Sequence, residues 1–178
     1  MILTGKTLSE VAEKIGKDLI IGTDSIDLRI GDDYLYYSRE YIEDKYIFLR
    51  GGRTSHDALS RDLPLEKVTP EKDLCIRPGD FILIPTYEYI ELPDNIMGMI
   101  NLRSYAARAG IQQATALKIS PGFKGIPILE ISSNRYACVG YREPIAQLIL
   151  FETTNSAGYN GRFQNQDKEI LHRGTDME

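Results

Sequence analysis

The chain has 178 residues, 42% of them hydrophobic and 26% charged, with a formal net charge of -5, the make-up of one globular domain with a core of its own. The acidic balance excludes a broad footprint for duplex nucleic acid, which needs many Lys and Arg on one face, but not a small phosphorylated ligand held by a few local cations. No apolar run has the length of a membrane span, MILTGKTLSE lacks the apolar stretch of a signal peptide, and Cys75 and Cys138 are far apart at no metal spacing, so we expect no disulfide framework and a reducing, cytoplasmic compartment.

Thr7-Leu8-Ser9-Glu10 has capping-box spacing, and Leu8, Val11, Ala12 and Ile15 share one helical face. This predicts an amphipathic helix over about 7–15, with Gly16 suited to its C-terminal cap. After it the period changes. Short runs rich in Ile, Leu, Tyr and Val recur between turn residues at Asp18–Ile21, Ile26–Ile30, Tyr34–Tyr37, Tyr46–Leu49, Asp80–Ile84, Ile96–Asn101, Ala114–Ile119, Ile126–Ser132, Tyr136–Val139 and Ile145–Glu152. They predict an all-β sandwich or barrel. No strand–helix alternation is visible, which disfavours a parallel α/β sheet. Residues 50–66 read as a long polar loop. The polar, Gly-bearing stretch 153–178 reads as a flexible tail beyond a domain of residues 1–152.

Four segments are candidates for chemistry. Arg103-Ser104-Tyr105-Ala106-Ala107-Arg108-Ala109-Gly110 predicts a short helix closed by a glycine. Ser104 and Arg108 then share a face, and a hydroxyl beside a guanidinium suits an oxyanion or phosphate. An ordinary surface helix with solvated arginines is the plainer reading of the same residues. Ser120-Pro121-Gly122-Phe123 predicts a type II turn with Gly122 at positive φ, either a ligand cradle or a plain hairpin. Glu130 lies inside the apolar run Pro127–Ser132. Burial would raise its pKa and a nearby arginine would lower it, which suits a general acid/base, unless it faces solvent from a half-buried sheet. Tyr159-Asn160-Gly161-Arg162-Phe163-Gln164-Asn165-Gln166 carries an aromatic, a cation and amides that suit a lid, or an ordinary tail. His56 and His172 have no second metal ligand nearby, and neither the H-x-E…P-C-x-x-C zinc deaminase signature, a Walker A loop, nor G-x-G-x-x-G is present.

In this order and spacing the segments resemble the dCTP deaminase branch of the dUTPase superfamily. The resemblance begins at Ser25-Ile26-Asp27-Leu28-Arg29-Ile30-Gly31 and runs through Ile76–Phe81 and Glu91–Gly98. It continues with R-S-x-x-A-R-x-G at Arg103–Gly110, T-A-x-x-I-x-P-G-F at Thr115–Phe123 and G-x-x-x-L-E at Gly125–Glu130. It ends with I-A-Q-L at Ile145–Leu148 and Y-x-G-[KR]-[YF]-Q-x-Q at Tyr159–Gln166. The resemblance implies an all-β, distorted jelly-roll barrel that forms a homotrimer with active sites where subunits meet, and a C-terminal tail that closes over them. It implies deamination of dCTP to dUTP on the route to dUMP and dTTP, without zinc, with Mg2+ carried by the triphosphate.

By the same resemblance Glu130 falls on the catalytic glutamate, Ser104 on the water-positioning serine, and Arg108 on the glutamate's arginine partner. Thr115, Ala116, Ser120 and Gln147 fall among substrate-binding positions, with the Ala116 backbone on the water and the exocyclic amine. Arg103, Arg162 and Gln166 fall on triphosphate contacts, and Tyr159 where the tail covers sugar and base. Two positions depart from the pattern. Ser120 stands where most members carry aspartate, which argues against pyrophosphatase activity, and Tyr105 replaces a phosphate-side serine. The alternatives are a bifunctional dCTP deaminase/dUTP diphosphatase, a plain dUTPase, a dNTP-binding module without turnover, and a jelly-roll assembly protein without ligand.

Overall fold

The computed structural model describes residues 1–37, 65–68, 73–116, 118–161 and 163–167. The expected strand Tyr46–Leu49, residues 50–64 of the expected loop, Arg162 and the tail beyond residue 167 lie outside them. Helix α1 spans Gly5–Ile15 and buries Leu8, Ala12 and Ile15, one stripe at helical spacing. It begins two residues before the expected start. Thr7 therefore lies inside the first turn, and Thr4 at the N-cap makes no side-chain cap bond. Gly16 is extended at φ -171 rather than left-handed, so the expected glycine cap is not formed.

The strands in chain order are β1 (Ile20–Ile21), β2 (Ile26–Leu28), β3 (Tyr34–Tyr37), β4 (Leu65–Val68), β5 (Leu74–Ile76), β6 (Phe81–Pro85) and β7 (Ile90–Glu91). There follow β8 (Ile96–Leu102), helix α2 (Ser104–Arg108), β9 (Ile111–Gln113), β10 (Lys118–Ile119), β11 (Lys124–Gly125), β12 (Ile128–Ser133), β13 (Ala137–Val139) and β14 (Ala146–Glu152). One sheet has the order β1-β2-β14-β8-β10 and the other β4-β3-β6-β12-β9, with β11-β7 and β13-β5 as two-stranded additions. Every ladder between these strands is antiparallel. Neighbours far apart in sequence, such as β2 with β14 and β6 with β12, give the crossed connections of a distorted jelly roll. Among the described residues the sheets do not join into one continuous barrel.

Period-two burial sets the core. In β14 Ala146, Leu148 and Leu150 are buried, and in β8 Ile96 and Ile100. In β12 Leu129, Ile131 and Ser133 turn inward, which leaves Glu130 on the half-exposed face. Strand β4 takes the last two residues of the expected loop 50–66, and β5, β7, β9 and β11 are further strands that the pattern of apolar runs did not separate.

The cysteines correct a sequence-based expectation. Cys75 and Cys138 are cross-strand neighbours in β5 and β13 and form a disulfide, with Cα atoms 4.0 Å apart and a sequence separation of 63. Their separation along the chain concealed an antiparallel pairing that places them opposite each other. The inference to a reducing compartment loses the support it took from unpaired cysteines. Among the described residues no helix is long and apolar enough to cross a membrane.

Candidate active site

The site has two halves, held by different parts of the fold. The first centres on Glu130. Its backbone N–H donates to Thr115 Oγ1 at 2.6 Å, and the Thr115 hydroxyl donates to Glu130 O at 3.2 Å. Ala114 N also donates to Glu130 O, at 2.8 Å. This bonding carries residues 114–116 alongside β12 past the end of β9, so that the Ala116 amide reaches the Glu130 carboxylate. Burial pushes the Glu130 carboxyl above the ordinary carboxylate range, and the Ala116 amide holds it back. A carboxylate so placed takes and returns a proton more readily near neutrality than an exposed one.

The second half is α2, where Ser104 and Arg108 share one exposed face as the spacing predicts. Neither side chain has a hydrogen bond or ion pair among the described residues, and Arg108 is not among the groups that set the titration of Glu130. The reason is topological. Gly110, two residues past the end of α2, accepts bonds at its carbonyl from Asn134 N at 3.2 Å and Ser133 Oγ at 3.3 Å. These residues lie at the far end of β12, roughly 10–13 Å of strand beyond Glu130. One chain thus keeps apart the glutamate and the arginine that the resemblance pairs.

Arg103, at the N-cap of α2, has an ion pair with Asp27 of β2, its guanidinium 5.5 Å from the Tyr105 ring centroid. The Tyr105 hydroxyl donates to Glu143 Oε1 at 2.9 Å and to Pro144 O at 2.6 Å. Burial, followed by the Glu143 carboxylate, raises its pKa to about 12, so it is a neutral donor at physiological pH. Gln147 lies in register with Asp27 on one side and Asn101 on the other, in a polar row on the outward face of the first sheet.

The turn after Ser120 forms as expected. Phe123 N donates to Ser120 O at 3.2 Å and Gly122 takes φ +76, a conformation that excludes side chains at little gain. Against this turn lies the tail of the same chain. Tyr159 N donates to Pro121 O at 2.9 Å, and the Tyr159 ring packs 6.1 Å from Phe123. Gln166 is 6% exposed, and its Nε2 donates to Ile126 O at 2.8 Å. Its amide is therefore committed to backbone here rather than presented to a ligand. Ser120 is half-buried above this segment.

The sequence reading passed over three residues of this region. Asp27 was legible as the acidic member of Ser25–Gly31 but its partner Arg103 was not. Asp94 Oδ1 closes on the turn, 2.6 Å from where a Cβ on Gly122 would lie. Gln164 bonds the turn from the tail. Among the described residues no three His, Cys, Asp or Glu side chains gather as a metal-binding group.

Residues 2–153 match the model of a family described as dCTP deaminase-like. The chain is 30% identical over 143 residues to a dCTP deaminase of Pyrobaculum neutrophilum, which covers 79% of this chain and 75% of that one. It is 33% identical over 168 residues to a "dCTP deaminase, dUMP-forming" of Methanosphaera stadtmanae, covering 92% and 81%. The crystal structure of 2'-deoxycytidine 5'-triphosphate deaminase from Agrobacterium tumefaciens is similar with a TM-score of 0.63 and 25% identity. That match covers 84% of this chain and 46% of the other, so this chain spans about half its length.

Proposed function

Because the chain belongs to the dCTP deaminase-like family, we propose that it hydrolyses the 4-amino group of dCTP, taking up one water and releasing dUTP and ammonia. The observation that carries this reading is Glu130: a carboxylate on a half-exposed strand face, raised above the ordinary range by burial and fixed by the Ala116 amide. Glu130 takes a proton from the attacking water as it adds to C4, delivers a proton to N3, and completes the transfer that lets ammonia leave. The Ser104 hydroxyl and the Ala116 carbonyl orient the water, a gain in geometry rather than acidity. Arg108 pairs with Glu130 and limits its pKa rise.

In this reading Ser104 and Arg108 come from a neighbouring copy in a homotrimer. What supports this is that both are exposed and have no partner among the described residues of one chain, while Glu130 is held elsewhere. A second support is the outward face of the first sheet, where Met97, Met99, Ile149 and Phe151 are only half-buried. Arg103 and Arg162 serve the triphosphate, which arrives as its magnesium complex, and Gln166, its side-chain amide bonded to Ile126 O, fixes the end of the tail rather than holding a phosphate itself. Thr115, Ser120 and Gln147 belong to the substrate-binding set, and Tyr159 and the tail cover sugar and base.

The test is to incubate the protein with dCTP and magnesium and identify the products, beside Glu130→Gln. Wild-type protein should yield a uracil nucleotide and ammonia, and the folded variant should lose roughly a hundred-fold or more of that rate. Wild-type binding without product would leave a nucleotide-binding module instead. A second reading, release of dUMP and diphosphate from dCTP, is favoured by the likeness to the dUMP-forming relative over 92% of the chain. The same assay decides between them by which uracil nucleotide accumulates.

A further inference from the structure

Tail residues 157–161 and 163–166 lie along the turn and strand at 121–126 of their own chain. The contact is pinned at both ends: Tyr159 N donates to Pro121 O at 2.9 Å, and Ile126 N to Gln166 O at 2.8 Å. Between these ends one side chain makes two bonds. Gln164 Oε1 accepts from Lys124 N at 2.9 Å, and Gln164 Nε2 donates to Gly122 O at 2.9 Å. An amide suits this place because it carries an acceptor and donors on one planar group. Its orientation is fixed by its partners, since Lys124 N can only donate and Gly122 O can only accept. Next along, Gly125 has φ +149, and a Cβ on it would lie 2.8 Å from Gln166 O. A residue without a side chain is what lets the tail backbone approach so closely.

We propose that Gln164 is a positioning residue: its amide clasps the Gly122–Lys124 turn and holds Tyr159–Gly161 and Phe163–Gln166 on the loop that follows Ser120, in the same chain. Docking on this turn lowers the ordering cost that the tail meets when it covers substrate. The clasp touches neither substrate nor reacting atoms, so it acts alike on the bound substrate and the transition state and is read mainly in KM. Which reaction it serves rests on the deaminase reading; the docking itself does not.

The experiment is hydrogen exchange on the ligand-free full chain, followed by kinetics with dCTP. In wild-type protein the Tyr159 and Asn165 amides, bonded to Pro121 O and Lys124 O, are protected. Gln164→Leu should make them exchange about ten-fold faster or more, with the β6 and β12 amides unchanged. Gln164→Glu keeps the acceptor and loses the donor. It should be loosened at about pH 8 and regain protection near about pH 4, where the protonated carboxyl donates to Gly122 O again. KM for dCTP should rise about ten-fold in Gln164→Leu with kcat within about two-fold. Unprotected tail amides in the wild type, or wild-type protection in Gln164→Leu, overturns the clasp. Lost protection with unchanged KM overturns its positioning role. A wild type that makes no product overturns the deaminase reading instead, and the exchange measurement then decides the clasp alone.

Discussion

Glu130 stands where two demands on one side chain oppose each other. Burial disfavours its charge, and among the described residues only the Ala116 amide offsets this. Its folded pKa is therefore raised above the unfolded value. The sign follows: the protonated group favours the folded state below the unfolded pKa, and that contribution is lost as pH rises through the folded pKa. Glu130→Gln should accordingly match the wild type in thermal stability at acid pH and exceed it at neutral pH, where only the wild type ionises there. Wild-type kcat/KM should in turn fall on the acid side with a midpoint above that of an ordinary glutamate. A variant less stable than the wild type at neutral pH, or an acid limb at the ordinary carboxylate position, would show that burial does not govern this group. The Gly122 turn was legible at this scale because a turn is decided by adjacent residues: Pro121 sets φ and Gly122 accepts the positive value. The bond from Tyr105 to Glu143 joins residues 38 apart in sequence, and no local rule predicts it.

Helix α2 shows what an element can and cannot say about a site. Its extent and the shared face of Ser104 and Arg108 follow from helix geometry, and both held. Its partner does not follow, because the bonds from Ser133 and Asn134 to Gly110 hold α2 at the far end of β12 from Glu130. If each site takes Glu130 from one copy and Arg108 from the next, two inactive variants should complement. Co-expressed Glu130→Gln and Arg108→Ala in equal amounts should recover about a quarter of wild-type turnover, the fraction of sites that draw both intact residues in a ring of copies. No recovery from a mixed, folded assembly would place the whole site within one chain. The weaker points of the element reading have the same cause. Helix α1 starts at Gly5 because bonding begins where the chain leaves its extended entry at Thr4, not at the residue with the best side-chain cap. Short strands such as β7 and β11 are defined by pairing with distant segments, here with each other, so periodicity within two residues carries no signal.

Across the whole molecule the Cys75–Cys138 disulfide joins β5 to β13 and closes 63 residues of chain. A loop of that length lowers the entropy of the unfolded chain by an amount worth about 4 kcal/mol. For a chain of this size that corresponds to a Tm difference on the order of 10 °C. Thermal unfolding with and without a phosphine reductant should show it, and Cys75→Ser/Cys138→Ser should be insensitive to reductant. Equal midpoints for the oxidised and reduced wild type would mean the bond constrains nothing that unfolding releases. By itself the sequence determined the class of fold, the position of the longer strands, the turn at Pro121–Gly122, the helix at Ser104–Arg108 and the candidate set around Glu130. Each depends on periodicity, a few adjacent residues, or an ordered string of motifs. Only the tertiary structure decided that Cys75 meets Cys138, that Arg103 answers Asp27, that Gln164 and Gln166 spend their amides on the backbone of 122–126, and that Arg108 and Glu130 lie apart in one chain. These are pairings between distant segments, fixed by which strands lie side by side, and strand order is a property of the packed whole rather than of any window along the chain.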